Sequence, residues 1–214
     1  MGNLIITIGR EFGSAGKNVG LSLSEHLNIP CYDKELLERA AKESEFCEEI
    51  FEHHDEKPTS SFLYSLVMDA NALGTYTTAP GLLDMPLNQK VFLAQFDTIK
   101  KIADNESCVM IGRCADYALA DYDNVVRVFI RADEEFKLKR LMDRFKCDEK
   151  TARDLMKKTD KKRASYYDYY TSKKWGDSSS YDLCLNTSDL GVEGAVNVIM
   201  NYIEVKKRHG LGEI

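Results

Sequence analysis

Residues 4–17 read Leu4-Ile5-Ile6-Thr7-Ile8-Gly9-Arg10-Glu11-Phe12-Gly13-Ser14-Ala15-Gly16-Lys17, an apolar run that passes into a glycine-containing loop. The first five residues are mostly β-branched and carry no charge, which predicts a short buried strand. After Lys17 the apolar residues Val19, Leu23 and Leu27 recur at helical spacing. Strand, glycine loop and helix in this order predict the opening of a βαβ unit.

The same alternation of strand and helix continues along the chain. Further strands are predicted at 31–32, 108–111, 125–130 and 183–185, and further helices at 34–41, 91–102, 134–145, 149–158 and 190–207. Asp133 and Asp148 are the expected N-caps of two of these helices. Alternating strands and helices predict the α/β class, with a parallel sheet covered on both faces.

The bulk properties indicate a single domain over residues 1–214. Residues 44–90 contain three of the four prolines and are expected to form a mostly helical insertion. No stretch reaches the ~20 apolar residues of a membrane span, and the N-terminus resembles no secretory signal. We therefore expect a cytoplasmic protein without a membrane partner. The six cysteines include no CxxC pair, and no metal site is predicted.

Charge is distributed unevenly along the sequence. The chain has 29 Lys and Arg against 35 Asp and Glu, a net charge of −6, which argues against nucleic acid as a partner. Residues 137–163, however, hold twelve basic and five acidic residues, a local net charge of +7. A basic segment on an acidic protein favours a compact anionic ligand such as a phosphate group. We expect one to three of the twelve cations to contact it.

The loop at 9–17 has most of the parts that bind a polyphosphate. Backbone N–H groups at a helix N-terminus hold phosphate, glycines allow the tight curve, and a following lysine reaches the outer phosphates. Two positions differ from a standard phosphate-binding loop. Glu11 stands where a glycine is usual, and Asn18 stands where Ser or Thr would bind Mg²⁺. A glycine-rich turn without a ligand is the alternative interpretation.

Several segments, in this order, resemble the cytidylate kinase-like family, a branch of the P-loop nucleoside monophosphate kinases. They are residues 6–17, Pro30-Cys31-Tyr32-Asp33-Lys34-Glu35-Leu36, Val109-Met110-Ile111-Gly112-Arg113-Cys114-Ala115-Asp116-Tyr117, Asp160-Lys161-Lys162-Arg163-Ala164-Ser165-Tyr166-Tyr167, Trp175-Gly176-Asp177 and residues 181–187. The resemblance implies a P-loop NTPase fold with a five-stranded parallel sheet in the order 2-3-1-4-5. It also implies that 44–90 is an acceptor-side insertion and that about 148–178 is a basic lid.

The resemblance further implies the site. ATP phosphates would be bound by Gly13, Ser14, Ala15, Gly16, Lys17 and Asn18, and the acceptor by Asp33, Arg39, Arg113 and Asp116. Lys17, Arg113 and Arg163 would carry catalysis. The implied reaction moves a phosphoryl group from ATP, with Mg²⁺, to a small acceptor such as CMP or dCMP. Two positions depart from the family pattern: Cys114 replaces an aspartate, and Val19 replaces a threonine.

Two other functions fit the same residues. One is a P-loop kinase for a different acceptor, such as a nucleoside, a shikimate-like metabolite or another alcohol. The other is a regulatory protein that binds a nucleotide without catalysis, which Glu11, Asn18 and Val19 favour. The aromatic residues between Tyr166 and Trp175 fit base stacking, packing within the chain or the contact of a homodimer.

Overall fold

The computed structural model describes residues 3–33 and 86–209, and within these ranges five strands form one sheet. The strands are β1 (Ile5–Arg10), β2 (Cys31–Tyr32), β3 (Cys108–Ile111), β4 (Val125–Arg131) and β5 (Leu183–Asn186). All neighbouring pairs are parallel, and the order is β2-β3-β1-β4-β5. The predicted α/β class, parallel sheet and strand order are confirmed.

Helices cover both faces of this sheet. In the described ranges they are α1 (Gly16–Leu27), α2 (Leu87–Asn105), α3 (Ala115–Ala118), α4 (Glu134–Phe145), α5 (Glu149–Thr171) and α6 (Thr187–Arg208), with a 3₁₀ turn at Ser178–Ser180. Within β1, Ile6 and Ile8 pack in the cluster formed with α1 and α6. Ile5 points to the other face, into the cluster formed with α2 and α3. This alternation explains why the strand is apolar on both sides.

Helix α5 differs most from the prediction, since it continues to Thr171 instead of ending near residue 158. Its second half is held by aromatic packing: the ring of Tyr170 stacks on Phe92 of α2, with ring centroids 3.9 Å apart, and Tyr166 and Tyr167 are buried in the same cluster. Tertiary packing therefore extends a helix whose sequence is too polar to show a clear apolar face. Packing within the chain accounts for these tyrosines, and the homodimer stays a prediction.

The two predicted N-caps behave differently. Asp148 accepts a hydrogen bond from the Thr151 amide at 2.9 Å, as expected. Asp133 precedes α4 but makes no side-chain cap, and its carboxylate accepts a hydrogen bond from Asn186 Nδ2 at 3.1 Å. Asp133 thus occupies the N-cap position as predicted, but its carboxylate binds Asn186 of the neighbouring strand β5 instead of a helix amide.

The boundaries of the predicted insertion are only partly described. Helix α2 begins at Leu87, so residues 87–90 belong to that helix. The remainder of 44–90 and the predicted helix at 34–41, which includes Arg39, lie outside the described residues. Among the helices of the two described ranges, none combines the length and hydrophobicity needed to cross a bilayer.

Candidate functional site

The predicted site residues that the structure describes, all of them except Arg39, lie at the carboxyl edge of the sheet, where parallel α/β proteins bind ligands. The loop 11–15 follows β1, Asp33 follows β2, and Arg113 follows β3. Gly112, Arg113 and Cys114 all have positive φ, at 74°, 53° and 56°. Two consecutive non-glycine residues in the left-handed region cost energy and need support from the surrounding structure, which is typical of functional sites.

The loop after β1 has the tight curve that its glycines predict. Gly13 has a φ of 90°, and a Cβ there would lie 3.1 Å from the Lys137 carbonyl oxygen. Helix α1 then begins at Gly16, and its N-cap residue Ala15 offers no side-chain cap. The amides of the first turn, with the positive end of the helix dipole, therefore face the loop without a capping side chain.

Glu11 does not fill the loop. Its Oε2 accepts hydrogen bonds from the Ala132 amide at 3.1 Å and from Lys137 Nζ at 2.9 Å. These contacts bind the carboxylate to the end of β4 and to α4. The residue that departs from the standard loop thus fastens the loop to the neighbouring helix and leaves room for an anion.

Ser14 lies behind the loop. It is fully buried, and its amide and hydroxyl both donate to the Glu11 carbonyl oxygen, at 3.4 and 2.9 Å. The hydroxyl of Thr187, at the start of α6, donates to the Ser14 carbonyl at 2.7 Å. Ser14 and Thr187 hold the shape of the loop. Thr187 was not predicted, because its contact spans 173 residues of sequence.

A cavity of about 270 Å³ opens in front of the loop. Five of the six predicted ATP-binding residues line it: Gly13, Ala15, Gly16, Lys17 and Asn18. Four arginines complete the wall: Arg10, Arg140, Arg144 and Arg163. The last three belong to the twelve cations of 137–163. Arg140 and Arg144 were not singled out from the sequence, although their spacing of four residues puts them on one face of α4. Five cations against the two carboxylates of Glu11 and Asp33 make the cavity suited to an anion.

Asp33 joins two of the three predicted catalytic cations, Lys17 and Arg113, at the rim of this cavity. Its Oδ2 lies 2.8 Å from Lys17 Nζ, and its Oδ1 lies 3.0 Å from Arg113 Nη1. The Arg113 side chain is only 4% exposed, whereas that of Lys17 is 51% exposed. Burial by itself would raise the pKa of Asp33, but the hydrogen bond from Lys17 and the charges of Arg113 and Arg10 lower that pKa to about 2.

This carboxylate predicts a specific pH dependence of stability. The pKa of Asp33 is lower in the folded protein than its ordinary value of 3.8, so its ion pairs stabilise the fold above about pH 4. That contribution is lost as the pH falls from about 4 towards 2. Chemical unfolding at pH 5 and pH 2.5 should show a larger loss of unfolding free energy for the wild type than for Asp33→Asn. An equal loss in both proteins would contradict the assignment.

Helix α5, which lies within the predicted lid region of about 148–178, contacts the loop directly. Arg163 Nη1 donates to the Arg10 carbonyl at 3.1 Å, and its guanidinium lies 5.5 Å from the centre of the Phe12 ring. The Asp160 carboxylate accepts a hydrogen bond from the Phe12 amide at 2.7 Å. Burial raises the pKa of Asp160, and the Phe12 hydrogen bond opposes this only in part. The sequence singled out Arg163 but not Asp160, whose partner is 148 residues away.

A second, much smaller cavity of about 20 Å³ lies beside the first, lined by Arg113, Cys114, Asp116 and aromatic residues. Tyr167 of α5 donates a 2.6 Å hydrogen bond to Asp116 Oδ2. Burial raises the pKa of Asp116. Burial and the nearby Asp116 charge together raise the pKa of the Tyr167 hydroxyl. The structure therefore places Arg113 and Asp116 on one cavity wall, and helix α5 covers Asp116 through Tyr167.

The described residues do not fit a dedicated magnesium site. Within 3–33 and 86–209, no three His, Cys, Asp or Glu side chains gather as metal ligands would. Asn18 supplies no hydroxyl at the usual position, and Asp33 and Glu11 are already bound by cations. An anion, by contrast, fits the loop and its cavity.

Comparison with known proteins identifies the family. The sequence model of the cytidylate kinase-like family matches residues 5–189. A solved structure of an uncharacterized protein from Eubacterium ventriosum ATCC 27560 is 36% identical over 94% of this chain and 99% of that one, with a TM-score of 0.70. Shikimate kinase from Bacteroides thetaiotaomicron is 13% identical over 94% and 98% of the two chains, with a TM-score of 0.53. A search of curated proteins found no match.

These matches differ in what they establish. At 13% identity the similarity to shikimate kinase concerns the fold, and it agrees with the order of the five strands. The family match extends from β1 to the start of α6 and includes the loop, Asp33, Arg113 and Arg163. The chain belongs to the cytidylate kinase-like family.

Proposed function

We propose that the protein transfers the γ-phosphoryl group of ATP to a small acceptor, most simply a nucleoside monophosphate such as CMP or dCMP. The observation that carries this proposal is the cationic cavity in front of the loop. It combines the uncapped start of α1, Lys17 and four arginines in one space. The family match supports a kinase, and the acceptor is the finer part of the proposal.

On the donor side, the amides of Gly13, Ala15, Gly16, Lys17 and Asn18 and the ammonium of Lys17 would hold the β- and γ-phosphates, with Ser14 supporting the loop from behind. Lys17 is now paired with Asp33, and its side chain is half exposed. An incoming triphosphate would offer it several charged oxygens in place of one carboxylate, while Asp33 keeps Arg113 as a partner. Mg²⁺ would arrive as part of the ATP complex, and none of the steps here is assigned to it.

On the acceptor side, Arg113 and Asp116 would bind the acceptor beside the donor cavity, with Asp33 orienting Arg113. A planar guanidinium can bind two oxygens of one phosphate, which suits the monophosphate of a nucleotide. Arg39 is a further acceptor residue in this proposal on the grounds of the family pattern alone. Cys114 stands in place of the family aspartate, so base recognition would depend on other side chains.

Transfer itself needs alignment and charge neutralisation rather than covalent help from the protein. Arg163 would neutralise the charge on the γ-phosphoryl group, since it lines both cavities. Helix α5 would close over the reactants and exclude water, which would otherwise accept the phosphoryl group. The contacts of Asp160 and Arg163 with the loop give this lid a defined docking position.

Thermal unfolding with a nucleotide panel tests the proposal. ATP, CMP, dCMP, UMP and AMP are each added with and without Mg²⁺, and ADP release is then measured with every acceptor. We expect ATP to stabilise the protein and CMP or dCMP to give the fastest turnover. Kinetics in which shikimate or another alcohol is the best acceptor would redirect the proposal to a different kinase.

The alternative of a regulatory protein without catalysis makes a different prediction in the same experiment. ATP would then raise the unfolding temperature, but no acceptor would release ADP above the rate seen without acceptor. A protein whose stability responds to none of the nucleotides would contradict both functions.

A further inference from the structure

Arg10, the last residue of β1, is not one of the predicted site residues, but its side chain lies between the two cavities. Of the residues that the structure describes, two line both cavities: Arg10 and Arg163. The larger cavity contains Lys17 and the loop, and the smaller one contains Arg113 and Asp116. A phosphoryl group that passes from a donor in the first to an acceptor beside the second must cross the boundary on which Arg10 lies.

Two glycines make room for the Arg10 side chain. A Cβ on Gly16, at the start of α1, would lie 2.5 Å from Arg10 Cβ. A Cβ on Gly112, after β3, would lie 2.8 Å from Arg10 Cζ. A Cβ at Gly16 would collide with the base of the Arg10 side chain, so that position needs the absence of a side chain. At Gly112 the nearest atoms belong to the flexible end of Arg10, and this contact places the guanidinium at the end of β3, beside the phosphate loop.

The surroundings of Arg10 are charged on the side where a phosphoryl group would lie. Its charge is one of those that keep the pKa of Asp33 low, so the guanidinium lies near the carboxylate that joins Lys17 and Arg113. Its carbonyl oxygen is bound by the lid arginine Arg163 at 3.1 Å. Lys17, Arg113 and Arg10 thus lie around the Asp33 carboxylate. Arg163 lies with Arg10 at the boundary between the two cavities.

We propose that Arg10 binds the oxygens of the phosphoryl group during transfer, at the boundary between the larger cavity and the smaller one. This inference rests on the proposed kinase function. The transition state of phosphoryl transfer spreads negative charge over the equatorial oxygens, and a planar guanidinium offers two parallel N–H donors to them. Arg10 then contributes to the transition state more than to the binding of ATP.

The test uses a mimic of the transferred group, because it needs no identified acceptor. The affinity of the full-length protein for ADP is measured with Mg²⁺, with and without aluminium fluoride. The wild type should bind ADP more tightly in the presence of aluminium fluoride. Arg10→Gln should keep its affinity for ADP alone within about 3-fold and lose about 100-fold of the enhancement, comparable to the removal of one preorganised donor.

Two further variants make the result specific. Lys161→Gln removes a positive charge from an exposed residue of α5 that lines neither cavity, and it should retain the enhancement. Arg10→Lys keeps the charge and most of the packing but lacks the two-donor geometry, so it should lose about 10-fold of the enhancement. It also provides a folded variant if Arg10→Gln unfolds, which circular dichroism would show.

The outcomes separate the inference from the proposed function. A wild type that binds ADP and aluminium fluoride, together with an Arg10→Gln or Arg10→Lys variant of unchanged enhancement, would overturn the role of Arg10 alone. A wild type that binds no ADP would overturn the kinase proposal and this inference with it. Equal losses in Arg10→Gln and Lys161→Gln would reduce Arg10 to a general contribution of charge and also contradict the inference.

Discussion

Replacing Lys17 by alanine is expected to weaken ATP binding by about 100-fold while the protein stays folded. Among the described residues, Lys17 is the one lysine on the wall of the loop cavity, and charge-assisted hydrogen bonds to phosphate are among the strongest polar contacts in proteins. The side chain is half exposed, and its pair with Asp33 is a rim contact, so stability should change by less than about 1 kcal/mol. Calorimetric titration and thermal unfolding measure the two effects.

Lys161→Ala is the matched control for this experiment. Lys161 belongs to the basic stretch 137–163 and is exposed, but it does not line the cavity. Its loss should leave ATP affinity within about 2-fold of the wild type, since an exposed charge outside the cavity is screened by salt. If Lys17→Ala bound ATP as tightly as Lys161→Ala, the triphosphate site would have to lie elsewhere.

Replacing Arg113 by methionine is expected to affect both catalysis and stability. The acceptor should lose its guanidinium contact, which would lower kcat/KM for the acceptor by about 100- to 1,000-fold with little change in ATP affinity. Because the Arg113 side chain is buried against Asp33, its removal leaves a partly buried carboxylate with fewer partners. We expect a loss of about 1 to 3 kcal/mol in the free energy of unfolding.

A double-mutant cycle with Asp33→Asn separates these effects. When the carboxylate is already neutral, Arg113→Met should cost less stability than it does in the wild type, because no unpaired charge remains. The loss of activity towards the acceptor should persist in both backgrounds. Additive stability changes would show that Arg113 does not act on the fold through Asp33.

The sequence contained enough local information to predict the elements around the loop. The apolar run before Gly9 and the helical spacing after Lys17 gave β1, the loop and α1 with nearly the observed bounds. Parallel strands end at one edge of the sheet, and this places Lys17, Asp33 and Arg113 together as the family pattern implied. The strand order came with the family resemblance rather than from any single segment.

What the sequence did not predict depends on contacts between distant residues. Arg10 packs against Gly16 nearby in the chain and against Gly112, about a hundred residues away. The hydrogen bond from the Phe12 amide to Asp160 spans 148 residues. Glu11 departs from the standard loop, and its contacts were not predicted because its partners Ala132 and Lys137 are distant in sequence. The length of α5 follows from tyrosines that pack on Phe92, which no local propensity reveals.

The measurement that tests the central claim most directly is an NMR titration of the ¹⁵N-labelled protein with a non-hydrolysable ATP analogue. If backbone amides before and at the start of α1 hold the triphosphate, the largest shifts should occur at the amides of Gly13, Ala15, Gly16, Lys17 and Asn18. Amides of the exposed end of α6 should not move. Saturable binding that leaves the signals of residues 13–18 unchanged, with shifts concentrated elsewhere, would contradict the account.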